Sequence, residues 1–320
     1  MRRRDFIAGA AGAAAWPSTT IAQQTGRTRQ IGLLTPVGST PLLAEIAAFK
    51  GALARFGWTE GRNLRIDEFH VGSAIDRSSY IAELLNRGPD AIVVLGGGST
   101  LAVRERTQTI PIVSVGAGDV FGRIVNNIAR PEGNITGVAG GFASLGGKWL
   151  ELLKEAVPRV ERVAYIEAPP SVATNFFPAI ADAAKIMGVK AVEIPYLNAV
   201  DIVRGIDAFA VEPNAGLIIP PASFAQYGDI ILTLAEQHRL PTVAGGRPKE
   251  GALISYGANG GDLWRRAAYL VDRLLRGTKV SDLPVEFPTK FELVVNLKTA
   301  EAIGVTIPET FLVRADELIE

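Results

Sequence analysis

The chain has 320 residues, 48% of them hydrophobic and 21% charged, which is too long for one ordinary domain and apolar enough to bury two cores. Its 33 Lys and Arg balance 33 Asp and Glu, and no basic block follows residue 30, so neither nucleic acid nor anionic lipid is an expected partner. Cysteine is absent, which excludes disulfides, a thiol nucleophile and thiolate metal sites.

The first residues read as an export signal. Arg2, Arg3 and Arg4 precede Asp5, Phe6 and Ile7, the layout of a twin-arginine leader. The Ala/Gly-rich stretch over residues 8–16 is too short and too mild to anchor in a bilayer. Thr20, Ile21 and Ala22 put small residues near a cleavage point, so residues 1–22 are expected to be removed. With no cysteine there to carry a lipid, the mature chain is expected to be soluble and periplasmic.

Beyond residue 28, short apolar runs alternate with helical spacing. Strands are expected at 30–35, 64–69, 91–95 and 110–115, separated by helices over 42–56 and 75–87 and, after a loop at 96–100, by a short helix ending near 107. The uninterrupted run Ala91, Ile92, Val93, Val94, Leu95 suits a strand buried on both faces of a parallel sheet. The pattern then restarts with a helix at 145–157. Strands follow at 162–166, 190–196, 216–219 and 241–244, with helices at 177–187, 202–211 and 224–238 between and after them. A helix at 263–276, a strand at 291–296 and a helix at 297–303 are too few for a third domain. The expected fold is therefore α/β, with two doubly wound parallel-sheet lobes and the last elements shared between them. One lobe is expected to take residues 29–137 and 257–285, the other 141–250 and 289–320. Hinge segments then fall near 138–140, 251–256 and 286–288.

Three stretches carry a resemblance. They are Pro131-Glu132-Gly133-Asn134-Ile135-Thr136-Gly137-Val138, the segment from Gly251 to Gly257 (GALISYG), and Pro288-Thr289-Lys290-Phe291-Glu292-Leu293-Val294-Val295-Asn296-Leu297-Lys298-Thr299-Ala300. Together they are similar to segments of the ABC-transporter substrate-binding family, which includes tryptophan-binding relatives. The resemblance covers nearly the whole mature chain. It implies a type I periplasmic-binding fold, in which crossing hinge strands join the lobes and ligand sits in the cleft between them. It further implies a monomeric receptor without cofactor or catalysis, delivering a small amino-acid-like or aromatic carboxylate to an ABC permease in the inner membrane. A periplasmic sensor module is an alternative, as is a two-domain nucleotide-sugar enzyme, which the leader argues against. Two departures from the family stand out: Val120 follows Asp119 where a proline is common, and Pro221, Ala222 and Ser223 stand near a frequent acidic position.

Ligands of open α/β sheets bind beyond the carboxyl ends of strands, where backbone N–H groups and helix starts converge. That places candidate contacts at Ser39 and Thr40 after the first strand and at Gly98, Ser99 and Thr100 after the third. Ser114 and Gly116 close the fourth. In the second half the same logic selects Asn175, Ser223 and Phe224, and Tyr256 on a hinge segment. The competing roles are N-caps for the hydroxyls, core packing for Phe224 and hinge packing for Tyr256. Enzyme motifs fail in detail: Leu101 stands where a nucleophile elbow needs glycine, and no Ser or Thr follows Lys148 as a P-loop needs. His70 and His238, the only histidines, are too far apart in sequence to suggest a histidine metal site.

Overall fold

The computed structural model describes residues 27–37, 40–71, 74–118, 121–167, 175–246 and 251–320; the expected leader, residues 1–22, lies outside them. The apolar runs assemble into two sheets. The first holds β1 (Arg29–Pro36), β2 (Leu64–Val71), β3 (Ala91–Leu95), β4 (Ile112–Val115) and β5 (Ile135–Val138), all parallel, in the order β2-β1-β3-β4-β5. The second holds β6 (Arg162–Glu167), β7 (Lys190–Pro195), β8 (Ala215–Ile219), β9 (Thr242–Gly245), β10 (Ile254–Ala258), β11 (Phe291–Asn296) and β12 (Glu317–Ile319), in the order β12-β11-β10-β9-β8-β6-β7.

Helices cover both faces of each sheet, which is why the strands read as unbroken apolar runs. In β3, Ala91 and Val93 face a core shared with α1 (Thr40–Arg55) and α9 (Gly260–Leu275). Ile92 and Val94 face a second core with α2 (Ala74–Asn86), α3 (Gly97–Arg104) and α4 (Phe121–Ile124). The other sheet is flanked by α5 (Leu145–Ala156) and α6 (Phe177–Met187) on one side, and α7 (Ala199–Ala210) and α8 (Pro221–Gln237) on the other. Helix starts are written locally in asparagines: Asn198, Asn259 and Asn296 each accept a backbone N–H from the first turn of α7, α9 and α10 (Leu297–Ala302).

α9 follows the second sheet in sequence but packs on the first. Trp264, almost fully buried, meets Phe49 of α1 edge-on at 5.6 Å. Truncating a buried tryptophan costs about 3–5 kcal/mol, so this single contact goes far toward holding α9 in place. Farther along, Asp272 accepts a 2.8 Å bond from the Trp58 indole and a 2.6 Å bond from Arg276.

Among the described residues, five small elements were not expected: α4, β5, α11 (Glu309–Leu312), β12 and a 3-10 turn at Val280–Asp282. Each has only three or four residues, too few to show a period. Two larger expectations need correction. Residues 251–256 are not a crossing, because Ile254–Ala258 is an interior strand of the second sheet, parallel to β9 and antiparallel to β11. Nor is that sheet wholly parallel: β11 and β12, parallel to each other at one edge, both run against the remaining strands.

Gly137 marks a tight point in this packing. A Cβ there would overlap the backbone of Ser114 on β4, and the Gly137 carbonyl accepts the Glu286 N–H at 2.9 Å. Gly137→Ala is expected to lower unfolding stability by about 1–3 kcal/mol, the usual cost of overpacking, as read from the urea midpoint.

Candidate functional site

Three chain segments join the sheets, and each leaves or enters at the same kind of edge. The first, residues 139–144, runs from the carboxyl end of β5 into α5, where Trp149 packs against Gly245, the last residue of β9. The second, residues 258–260, leaves the carboxyl end of β10 and starts α9. For the third, residues 285–287 run parallel beside the end of β5, with Glu286 accepting the Ala139 N–H at 2.8 Å, before the chain enters β11. Phe142 of the first segment and Phe287 of the third stack face to face at 4.9 Å. The carboxyl edges of the two sheets therefore face each other across these connections.

The sheets also share an order. β2-β1-β3-β4-β5 in one corresponds to β7-β6-β8-β9-β10 in the other. In such sheets the crevice opens where the winding reverses, here between β1 and β3 and between β6 and β8. The space between those two points is the candidate site.

The first lobe gathers several expected residues there. Ser39 lies outside the described residues; Thr40 is the first residue of α1. The loop expected at 96–100 is shorter than that: Gly96 alone makes the turn, at φ 88°, and α3 begins at Gly97. With glycine at the cap, that position supplies no side chain to the N–H groups of the first turn. Gly98 and Ser99 are half-buried within it. Thr100 is completely buried instead, with its hydroxyl 2.9 Å from the Gly96 carbonyl and 2.6 Å from Ser114, which is equally buried. Both were expected to reach a ligand, but their hydroxyls are consumed in tying α3 to β4. Gly116, at φ 76°, ends β4 and lies so close to Gly140 that a side chain on the latter would press against it. Asp119 lies outside the described residues.

In the second lobe Asn175 is exposed and accepts the Phe177 N–H at 3.1 Å, opening α6. Ser223, on the first turn of α8, is fully buried: it donates to the Ile166 carbonyl at 2.6 Å and accepts from Tyr196 at 3.1 Å. Phe224 is buried in the core formed with α7 and α8. Tyr256 is half-buried, stacked on Phe291 at 5.8 Å, while its carbonyl receives the Trp149 indole N–H at 2.9 Å.

Sequence reasoning missed Tyr196 and the pair Tyr165–Glu167. Tyr165 donates its hydroxyl to Glu167, the last residue of β6, at the reversal point of the second sheet. Burial, then the bond to Glu167, push the Tyr165 phenol well above its ordinary range. Burial also raises Tyr196, opposed by the Ser223 hydrogen bond. An acidic residue closing an apolar strand was the only available signal. No cluster of three His, Cys, Asp or Glu that could hold a metal occurs among the described residues, nor does a helix long and apolar enough to cross a membrane.

Residues 30–319 match the family model described as ABC transporter substrate binding protein. The chain belongs to that family. Its members and relatives are solute-binding proteins rather than enzymes. A tyrosine-binding protein of Clostridioides difficile (strain R20291) is 24% identical over 280 residues, covering 86% of this chain and 81% of the relative. Among solved structures, a Streptococcus pneumonia domain in complex with L-Trp superposes with a TM-score of 0.83 at 20% identity, covering 91% of this chain and all of that one. A ligand-free, open substrate-binding protein with adhesive properties from Clostridium difficile gives 0.66 at 24% identity, covering 91% of this chain and 99% of that one. The two-sheet architecture is thus the type I periplasmic-binding fold.

Within this binding protein the Ser223–Tyr196 pair is a support beneath the cleft edge. Ser223→Ala, which strands the Ile166 carbonyl and the Tyr196 hydroxyl, is expected to cost about 1–3 kcal/mol in chemical denaturation. Tyr196→Phe on top of it should add less than it costs alone, the mark of a shared network.

Proposed function

We propose that this protein is an exported receptor that captures a small amino-acid-like or aromatic carboxylate between its lobes and presents it to an ABC importer permease. The observation that carries the reading is the opposition of two carboxyl sheet edges, each at its reversal point, across three short connections. The lobes divide at those connections, near residues 139–144, 258–260 and 287–291, and the monomer closes about them. Closure buries the ligand, and a ligand that touches both lobes shifts the population toward the closed form by the difference in its affinity for the two states.

Roles follow from exposure. The uncapped first turn of α3, with Gly98 and Ser99, is suited to a carboxylate, because its N–H groups and the helix dipole both favour negative charge. Ser39 and Thr40, which follow β1 in sequence, are the further contacts of the first lobe in this reading. Gly116 keeps the floor free of side chains, Asn175 borders the second lobe, and the stacked Tyr256 and Phe291 supply an aromatic surface near the connections. Thr100, Ser114 and Ser223 act from beneath by fixing the strand ends, and Phe224 by packing. The tyrosine-binding relative and the L-Trp complex favour an aromatic amino acid as the first ligand to try. The arginine-led amino terminus favours secretion and a periplasmic location.

The test is a thermal-shift screen of amino acids and aromatic acids, followed by titration calorimetry. A ligand at a hundred times its Kd stabilises the native state by about 2.7 kcal/mol, a shift of several degrees. Small-angle scattering should show a smaller radius of gyration on saturation. Ser99→Ala is expected to weaken binding about tenfold, the worth of one hydrogen bond to a charged group, with the unliganded melting temperature unchanged. Absence of any stabilising ligand in such a panel would sink the reading.

A further inference from the structure

The second connection, residues 258–260, puts one side chain in contact with both lobes. Ala258 and Phe291 form the last rung between β10 and β11, so the chain leaves the second sheet immediately before Asn259. The Asn259 amide then bonds in two directions. Its Oδ1 accepts the Asp262 N–H at 3.0 Å, capping α9, and its Nδ2 donates to Glu292 Oε2 at 2.8 Å. α9 is held on the first sheet through Trp264 and Phe49, whereas Glu292 is the second residue of β11 in the other sheet. A single planar amide thus fixes the direction in which a first-lobe helix departs from a second-lobe strand.

Capping accounts for only half of this residue. An N-cap needs an acceptor, which Ser, Thr or Asp supplies as well. The donor half goes to Glu292, a partly buried carboxylate whose other oxygen lies 3.8 Å from the exposed Lys290 ammonium. A bond from an amide to a carboxylate is charge-assisted, roughly twice as strong as a neutral one. The backbone on either side of Asn259 has little slack. Gly257 lies so close to Gly246 that a Cβ would overlap its backbone, and a Cβ on Gly260 would overlap the Glu45 carboxylate of α1. At this connection, rotation of one lobe against the other therefore falls on the torsions around Asn259 and on its bond to Glu292.

We infer that Asn259 is a positioning residue for ligand capture: through Glu292 it sets the resting angle between the lobes, and with it the alignment of the two halves of the cleft. The inference rests on the receptor reading above, because that angle matters only when a ligand lies between the lobes, but its first measurement is made without ligand. Loss of the bond leaves each lobe intact and lets the angle vary. The cleft edges are then aligned for binding in a smaller fraction of molecules, and the apparent affinity falls by that fraction.

The test separates the two halves of the amide. Asn259→Ser keeps a capping oxygen but is too short to reach Glu292. Glu292→Ala removes the acceptor from the other side, and Glu292→Gln keeps an amide oxygen that Asn259 can still bond. The chain has no cysteine, so Arg62→Cys in the first lobe and Lys185→Cys on α6 of the second, both exposed, carry the only spin labels. Pulsed dipolar spectroscopy on the full-length chain without ligand is expected to give a broader interlabel distance distribution for Asn259→Ser and for Glu292→Ala than for the labelled parent. Glu292→Gln should match the parent. The double variant Asn259→Ser with Glu292→Ala should be no broader than either single one, the mark of one shared bond. Calorimetry with L-tyrosine, replaced by the strongest binder of the thermal-shift panel if L-tyrosine does not bind, should rank the variants in the same way. A loss of about threefold to tenfold is expected for the first two and of less than about twofold for Glu292→Gln. If Asn259→Ser does not fold, Glu292→Ala carries the test, since it leaves the cap untouched. Folded Asn259→Ser and Glu292→Ala variants that keep the parent's distribution, or its affinity, overturn the role of Asn259 and leave the receptor reading standing; so does a Glu292→Gln variant as broad as Glu292→Ala. A parent that binds neither L-tyrosine nor any member of the panel removes the receptor reading and this inference with it, whatever the distances show.

Discussion

All three connections between the sheets are tied to the carboxyl ends of parallel strands, and the rest of the molecule follows from that constraint. A segment leaving one such edge can reach the other sheet quickly only if the second edge is turned toward it. The two edges must then oppose each other with a gap between. The same rule explains the reversal of β11. Its chain enters the second sheet from the cleft side, so it has to run against the strands that end there. It also explains why α9 lies on the first sheet: having left β10 at the cleft, the chain is already beside α1.

Rigidity and freedom are divided accordingly. Each sheet is sealed on both faces by helices, and its strands contribute alternate side chains to separate cores, so a lobe moves as a body. The connections are held by far less: backbone pairing of Glu286 with Gly137 and Ala139, the Phe142–Phe287 stack, and the Arg266–Glu286 ion pair beside them. Small residues keep this region compact. Gly140 passes against Gly116, and Gly260 leaves room for the buried Glu45 carboxylate of α1, which a Cβ would overlap. The proposed closure would therefore break little packing at these connections.

At the cleft edge the buried hydroxyls are engaged within the protein itself. Thr100 with Ser114, and Ser223 with Tyr196, spend their hydroxyls on buried partners and so fix the ends of β3, β4, β6 and β8. Unpaired, each would cost more than it could return as a ligand contact through a wall of packed atoms. The rest of the described edge is formed by glycine turns and by the start of α3, which Gly96 leaves without a side-chain cap. That arrangement suits recognition, because few polar groups in fixed positions discriminate better than many mobile ones.

Much of the architecture was legible in the residues alone. The run Ala91–Leu95 announced a strand covered on both faces, and the alternation of strands with helices announced two wound sheets. The stretch from Pro288 to Ala300 carried the family, whereas the caps Asn198 and Asn259 were passed over and their helices expected from 202 and 263 rather than 199 and 260. The site was legible only as positions at strand ends. Which hydroxyl is buried depended on where α3 and α8 begin, and both start three or four residues earlier than expected, so that Thr100 and Ser223 fall within buried first turns. Glu167 looked like a loop residue until Tyr165, two positions earlier, was seen to reach it. Periodicity and capping act over a few neighbours, so the sequence shows them directly. The allocation of α9, the direction of β11 and the pairing of Thr100 with Ser114 depend on contacts between distant segments, and only the folded chain decides those.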